Sequence, residues 1–459
     1  MTQYDVVVIG AGQAGIPLAK ALAKAGRKVA LAEERHLGGS CVNYGCTPTK
    51  AAIASARVAH LARRAADFGL AIESVRVDFP KVLERARKMV VASRASLGKM
   101  VTSTRGLKLL RGHARLLGRE GRKFRLSIGE QVVHASQVVL DTGTRSRIPP
   151  IEGLDEIEFI SSETWLHHDT LPAHLLMIGG GYIGLEMGQF YRRMGSEVTI
   201  VNSADHVAGH EDPEVSDALQ KLLEAEGIRF VMNAEVSKLR KSGSRIEATV
   251  KSGKKRLTLE GSHVFVATGR QPNTDDLGLD AVGLEPTKQG MLDVDSRLAS
   301  KVKGIWVAGD IRGGPMFTHT SWDDYRILES QMLGDRSRTL DRVVPYAVFT
   351  DPELGRVGLT ETQAREQGLK YRVGRFEMRN DGKAREIGET AGFIKVVVQA
   401  DSGQILGASV LASEGAELVH LYVQLMNAKA PYCVMDNAIH IHPTLSEAVQ
   451  SAVAAIPPR

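Results

Sequence analysis

The chain is 459 residues long, 43% hydrophobic and 24% charged, with a net charge of +6; that length exceeds one hydrophobic core, so roughly two to four domains are expected. No uncharged apolar run of about 18 residues or more occurs, which excludes a membrane-spanning helix, and three cysteines are too few for a secreted disulfide scaffold. The basic residues are scattered, as in Arg63-Arg64, Arg192-Arg193 and Lys254-Lys255-Arg256, a distribution of solvated faces and of attraction for anionic cofactors rather than of nucleic-acid binding.

The N-terminus enters a strand almost at once, without a signal or transit pattern, so a reducing cytoplasm is the expected setting. Asp5–Ile9 is an apolar, β-branched run that predicts a buried parallel strand. Gly10-Ala11-Gly12-Gln13-Ala14-Gly15 follows, then a helix over Ile16–Ala25 that stops near Gly26, then a strand, Val29–Ala32, ending at Glu33. In such a β-α-β unit the glycines give a tight turn, close approach to a pyrophosphate and helix packing. Glu33, 18 residues after Gly15, stands where a carboxylate accepts from a ribose.

Gly38-Gly39-Ser40-Cys41-Val42-Asn43-Tyr44-Gly45-Cys46-Thr47-Pro48-Thr49-Lys50 comes next. A five-residue helical step covers roughly 7.5 Å, and a disulfide needs Cα atoms within about 4.4–6.8 Å. A slightly distorted turn loosened by Gly45 therefore allows a strained, easily reduced disulfide between Cys41 and Cys46, and a helix start favours a thiolate. Two ordinary reduced thiols are the plainer reading. A zinc site would need two further ligands, and no second Cys pair or close Cys/His cluster exists, so no metal site is expected. Thr49–Arg64 and Phe79–Met100 read as an antiparallel helix pair.

Val138–Gly143 is a strand running into a turn, and Ile148-Pro149-Pro150 marks a boundary. The opening pattern then repeats: a strand at Leu175–Ile178, the turn Gly179-Gly180-Gly181-Tyr182-Ile183-Gly184, a helix to about Met194 and a strand at Val198–Val201. Two such units predict two bound dinucleotides, or one and a relative of it. Val264–Arg270 closes this unit, and Ile305–Asp310 is a further buried strand ending at an acid. From about Asp341 strands (Ala347–Thr350, Tyr371–Phe376, Gly392–Val398, Ile405–Val410) mix with helices (Ala416–Asn427 and one from Ser446), an α+β texture.

With these features the chain resembles the class I pyridine nucleotide–disulfide oxidoreductases, flavoproteins that include glutathione reductase, dihydrolipoyl dehydrogenase and mercuric reductase. The Cys41–Cys46 segment looks like the family's redox signature. Ala267–Arg270 with Pro272-Asn273-Thr274, Gly304–Asp310 and His442-Pro443-Thr444-Leu445-Ser446-Glu447 match its other motifs. The resemblance implies an α/β fold with two Rossmann-like dinucleotide-binding domains, for FAD and NAD(P), plus a C-terminal α+β dimerisation domain. The expected division is FAD 1–150 and 273–340, NAD(P) 151–272 and interface 341–459.

It also implies roles. Gly10, Gly12, Gly15 and Glu33 would hold the adenosine half of FAD. Thr142, Gly143, Gly309 and Asp310 would serve its other half, with Asp310 on the ribityl chain and Thr318-His319 placing a helix N-terminus near the ring. Lys50 and Glu186 would pair beside the reactive flavin nitrogen. Gly179, Gly181, Gly184, Asn202, Gly269 and Arg270 would bind NAD(P), with Tyr182 as a gate over the nicotinamide. Electrons would pass from NADH or NADPH through FAD to the Cys41–Cys46 disulfide, with Cys46 the thiolate beside the ring and Cys41 the interchange thiol. His442 would be the acid–base, since an imidazole titrates near neutrality, and Glu447 would fix its tautomer. The histidine would reach the partner's cysteines in a two-fold homodimer, across a cis His442–Pro443 peptide. His440 would be a neighbour and Cys433 a structural thiol.

Coenzyme and acceptor stay open. Asn202 neither repels a 2′-phosphate nor accepts from a ribose as firmly as a carboxylate would. The N-terminal half and Phe317–Asp324 are most similar to the mercuric-reductase-like branch, but the C-terminus Ala454–Arg459 has no second cysteine pair, which argues against mercury reduction. Acceptors to weigh are a small molecule, a metal ion or the lipoyl protein of a dihydrolipoyl dehydrogenase. A flavin-bound redox sensor or partner-binding subunit is the reading from another class.

Overall fold

The computed structural model describes residues 2–458. The first sheet begins with β1 (Thr2–Ile9), followed by α1 (Gly15–Lys24) and β2 (Val29–Glu33). Then come α2 (Gly39–Asn43), α3 (Cys46–Arg63), α4 (Phe79–Ser103), β3 (Leu107–Arg111), β4 (Ala114–Glu120), β5 (Lys123–Ile128) and β6 (Gln131–Leu140). The sheet order is β3-β2-β1-β6-β5-β4, with the strand Ile305–Val307 added beside β6. β1, β2, β3 and β6 run parallel, and β4-β5-β6 is an antiparallel excursion. The Val6–Ile9 end of β1 and nearly all of β2 are apolar and buried, because α1 and the helix Thr318–Leu333 cover one face of the sheet and β4, β5 and residues 277–311 cover the other. The sequence pattern missed β3, β4 and β5, whose Arg- and Lys-rich alternation reads as loop.

The chain leaves this sheet through β7 (Thr144–Ser146). β8 (Ile160–Ser161), β9 (His174–Ile178), α5 (Tyr182–Met194), β10 (Glu197–Val201), α6 (Pro213–Ala225) and β11 (Ile228–Val231) follow. An antiparallel set, β12 (Glu235–Ser242), β13 (Arg245–Ser252) and β14 (Lys255–Gly261), precedes β15 (His263–Val266) and β16 (Arg270–Pro272). The second parallel sheet runs β11-β10-β9-β15-β8. The way back lies beside the way out: β16 pairs antiparallel with β7, Arg270 opposite Ser146.

β17 (Ile305–Val307) completes the first sheet, and α7 (Thr318–Leu333) follows. The C-terminal sheet is wholly antiparallel, β18 (Pro345–Val348), β19 (Glu353–Gly358), β20 (Tyr371–Glu377), β21 (Phe393–Gln399) and β22 (Ile405–Ala412), in the order β18-β19-β22-β21-β20. The helices of this part are α8 (Glu361–Glu366), α9 (Gly382–Glu386), α10 (Gly415–Asn427), α11 (Cys433–Asp436) and α12 (Ser446–Ala454). α10 and α12 cover the sheet through Val419, Tyr422, Val449 and Val453, each nearly solvent-free. The sequence reading had four strands here. It missed β19, which Gly355 and Arg356 disguise, and began the first strand two residues late. No helix among the described residues is long and apolar enough to cross a membrane.

Candidate active site

Both glycine turns are built alike. A Cβ on Gly15 would overlap the carbonyl oxygen of Gly10, and one on Gly184 would overlap that of Gly179. The first glycines, Gly10 and Gly179, have φ of +102° and +112°, a region only glycine occupies without strain. Each turn therefore presses the following helix onto its strand and leaves its amides at a helix N-terminus, where an anion is favoured. Glu33, at the end of β2, accepts from the Ala11 amide (2.9 Å) and the Arg35 amide (2.8 Å). Each oxygen keeps an acceptor site, as a ribose diol needs.

One large cavity, about 1170 Å³, joins these parts. Gly10, Gly12 and Glu33 line one end, Thr142, Gly143 and Asp310 the middle, and Cys41, Cys46, Lys50, Glu186, Thr318 and His319 the other. The span and the turn chemistry fit a dinucleotide. Asp310 accepts from the Thr144 hydroxyl (2.8 Å). Thr142 is fixed by Asn273, its hydroxyl donating to the Asn273 carbonyl (2.7 Å). Gly309 and Gly15 lie just beneath the surface rather than on it.

At the far end two helix N-termini converge. Cys46 opens α3 and Thr318 opens α7, and the Cys46 sulfur lies 3.1 Å from the Thr318 hydroxyl. The expected disulfide is not formed: Cys41, Cys46 and Cys433 are all free thiols. The two thiols are close enough for each to be the largest influence on the other's ionisation. The pair is asymmetric. A hydrogen bond from Cys41 lowers Cys46 to about 6, helped by Lys50 and Thr318 against burial and Glu186. The same bond, with burial, pushes Cys41 well up. These directions favour a thiolate at Cys46 and a retained proton at Cys41, and a helix N-terminus favours the same order. Lys50 donates to Glu186 at 2.7 Å, and the other Glu186 oxygen takes the Phe349 amide at 2.9 Å.

Tyr182 is tethered. Its hydroxyl donates to Glu211 (2.8 Å), which also takes the Tyr346 hydroxyl (2.8 Å) and pairs with Arg356 (2.7 Å). Burial holds the Tyr182 phenol protonated and pushes Tyr346 to about 12. Tyr182, Tyr346, Phe317 and His319 form a continuous column of rings, with neighbouring centroids 5.8, 5.1 and 5.4 Å apart. Arg270 also faces the cavity but is committed to β7, donating to the Thr144 hydroxyl (2.7 Å) and carbonyl (2.6 Å). Gly179, Gly181, Gly184, Gly269 and Asn202 lie outside this cavity, around the second turn. The Asn202 oxygen accepts from Gly180 (3.1 Å), and both amide hydrogens go to the Ala204 and His206 carbonyls. Its donors are therefore spent on the loop rather than open to a ribose.

His442 faces solvent, 77% exposed, and does not reach the cavity of its own chain. Its Nδ1 lies 3.1 Å from Glu447, whose carboxylate also accepts from the Thr444 amide (2.9 Å). That amide, with His442, holds Glu447 below the usual carboxylate range. The His442–Pro443 peptide is cis. Ile439 and Ile441, beside it, are 100% and 78% exposed. Sequence reasoning missed Asp141, Glu211, Tyr346 and Arg356. Asp141 had a signal, an acid closing an apolar strand. Glu211 and Tyr346 meet across 135 positions and had none.

Comparison with known proteins agrees with this geometry. The pyridine nucleotide-disulphide oxidoreductase model matches residues 4–324, and that family's dimerisation domain matches residues 344–453. A dihydrolipoyl dehydrogenase of Cupriavidus necator is 34% identical, covering 100% of this chain and 98% of that protein. The probable pyridine nucleotide-disulfide oxidoreductase RclA of Escherichia coli is 32% identical over 99% of this chain and 100% of its own. A solved Cu(II) complex of RclA, described as an HOCl-induced flavoprotein disulfide reductase, superposes with a TM-score of 0.89 over 99% of both chains at 31% identity. LpdA of Mycobacterium tuberculosis gives 0.90 over 99% of both chains at 25% identity. Two glycine turns, a dithiol between two helix ends and a matched dimerisation domain lead to one conclusion: the chain belongs to the pyridine nucleotide-disulphide oxidoreductase family, flavoproteins that use FAD and NAD(P)H.

Proposed function

We propose that this protein carries reducing equivalents from NADH or NADPH through FAD to the Cys41–Cys46 pair and on to an acceptor of the mercuric-reductase-like kind, a small molecule or a metal ion. The observation that carries the reading is the asymmetric dithiol at the meeting point of α3, α7 and the Lys50–Glu186 pair. Bound FAD supplies hydride acceptance and two-electron delivery to sulfur. Gly10, Gly12, Gly15 and Glu33 would hold its adenosine half, and Gly143, Gly309 and Asp310 the remainder. The NAD(P) unit would be residues 151–272, set within an FAD unit of 1–150 and 273–340, with 341–459 as the interface. Gly179, Gly181, Gly184 and Gly269 would shape the nicotinamide coenzyme's site.

The hydrogen bond from Cys41, with Lys50 and Thr318, favours the ionised form of Cys46. With a disulfide acceptor, Cys41 gives up its proton as its sulfur attacks one acceptor sulfur, the acceptor S–S bond breaks and its leaving thiolate is protonated. Cys46 then displaces the second acceptor thiolate as the Cys41–Cys46 bond forms. The base that takes the Cys41 proton is His442, held by Glu447. Since it lies outside its own chain's cavity, it would serve the partner's pair in a homodimer. Asn202 provides no carboxylate against a 2′-phosphate, so both coenzymes are expected to work.

Dihydrolipoyl dehydrogenase is the second reading, favoured by the relative from Cupriavidus necator and by the His440-x-His442-Pro-Thr-Leu-Ser-Glu447 segment. An anaerobic acceptor screen decides between them: lipoamide, glutathione disulfide, Cu(II), Hg(II) and quinones, each with wild type and Cys41→Ser. Rapid lipoamide turnover would establish the second reading. An acceptor that ignores Cys41→Ser takes electrons without the thiol pair. If no acceptor turns over and neither coenzyme bleaches the flavin, the protein is a binding or sensing module instead.

A further inference from the structure

Asp141 follows β6 directly and has no part in the roles above. Its side chain is buried and lies under both glycine loops of the FAD end. One oxygen, Oδ2, accepts from the Gly15 amide at 2.7 Å. A Cβ on Gly12 would stand 2.9 Å from that oxygen, and a Cβ on Gly309 would stand 2.6 Å from Oδ1. One carboxyl group thus fills the space between the turn after β1 and the turn after β17, and no larger residue fits at either glycine.

Three acids face it, and the arginines nearby are spent on one of them. Glu33 faces it from the end of β2, Asp310 from the turn after β17 and Asp324 from α7. Asp324 is neutralised by Arg312 (2.7 Å) and Arg342 (2.6 Å), Asp310 takes the Thr144 hydroxyl, and Glu33 takes two amides. Among the described residues no cation pairs with Asp141, and its one hydrogen bond is from Gly15. A buried carboxylate without a cation, facing three other acids, is costly. Burial accordingly pushes the group well above the ordinary carboxylate range, and the three acids add to it against the Gly15 amide. A dinucleotide brings two further negative charges to the same loops.

We propose that Asp141 is a neutral carboxylic acid that ties the two FAD-binding glycine loops together and keeps the floor of the diphosphate site uncharged, so that FAD is released when this residue ionises. With Oδ2 accepting from Gly15, the proton sits on Oδ1, on the Gly309 side. The protein then binds FAD through a positioning group that only the acid or the amide form can supply. The proposal rests on the cavity being the FAD site.

The test is FAD retention, not turnover. Holoenzyme is equilibrated at steps between about pH 6 and pH 9, and free flavin is measured by fluorescence after ultrafiltration, for wild type and Asp141→Asn. The wild-type dissociation constant is expected to rise by up to about tenfold per pH unit once the residue ionises. Asp141→Asn, the same shape without a charge, is expected to hold FAD evenly across the range. Identical pH profiles in the two proteins overturn the proposal. A chain that never binds FAD at any pH overturns instead the assignment of the cavity. Should Asp141→Asn fail to fold, infrared spectroscopy of the wild type decides: a protonated carboxylic acid carbonyl band that fades over the pH range of FAD loss supports the proposal, and its absence at pH 6 refutes it.

Discussion

At the scale of single residues, the thiol pair shows how little separates the two cysteines chemically. They differ in which of them opens a helix. Replacing Cys41 with Ala removes the largest influence on Cys46, so the ultraviolet thiolate absorbance of the reduced protein, expected to appear as pH rises through about 6, should move to higher pH in the variant. An unmoved titration would mean that Lys50 and the helix end suffice alone. Lys50→Met should move it the same way, and by stranding Glu186 without its cation should also cost about 1–3 kcal/mol of stability in urea unfolding. The two cysteines, the glycines and the His442–Glu447 pair were legible in the sequence because each belongs to a short local pattern. The bonded state of the sulfurs was not legible, since spacing says only that a disulfide can form.

At the scale of elements, the segment before α6 carries two adjacent acids that face different strands. Glu211 ties α5, β18 and β19 through Tyr182, Tyr346 and Arg356. Asp212 accepts from the Glu361 and Thr362 amides of α8 (both 3.0 Å) and from Lys395 of β21 (3.1 Å). Lys395 also pairs with Glu214 and with Glu361 (2.6 Å). Tyr346→Phe removes one of two phenol donors and should cost only about 1 kcal/mol. Glu211→Gln leaves Arg356 buried without its anion and should cost about 3–5 kcal/mol. Denaturant midpoints of the two variants separate these outcomes, and equal losses would mean that Arg356 finds another partner. Burial opposes the charge on Asp212, but the two amides and Lys395 outweigh it and depress its pKa. A depressed acid stabilises the fold above its unfolded pKa, about 3.9. That contribution should fade as pH falls through the lower folded value and should be missing in Asp212→Asn. These ties were invisible in sequence because each joins residues far apart along the chain, whereas the parallel strands and helices of both glycine units were readable from period and turn residues.

At the scale of the whole molecule, His442, the acid–base proposed above, lies apart from the thiols of its own chain, and it is flanked by bare isoleucines. Ile441→Asp should yield a monomer by sedimentation that still binds FAD and still passes electrons to a quinone, yet fails with any acceptor that needs both the thiols and His442. A monomer with undiminished activity on such an acceptor would refute the shared site. The shared site is what the family resemblance implies, whereas the exposed face of the C-terminal part could not be read from composition. The paired strands β7 and β16 have a further consequence. Because the chain departs and returns through neighbouring strands, residues 147–269 are joined covalently to the rest only through this two-stranded ribbon, while they pack against that rest through Lys50–Glu186, Glu211–Arg356 and Asp212–Lys395. A cassette transplanted there from a related enzyme would arrive with both cut ends already side by side. Such a chimera should work only with a donor that keeps Glu186, Glu211 and Asp212 as partners for Lys50, Arg356 and Lys395, and on that condition the ribbon is a natural splice point for recombination, in the laboratory or in a genome.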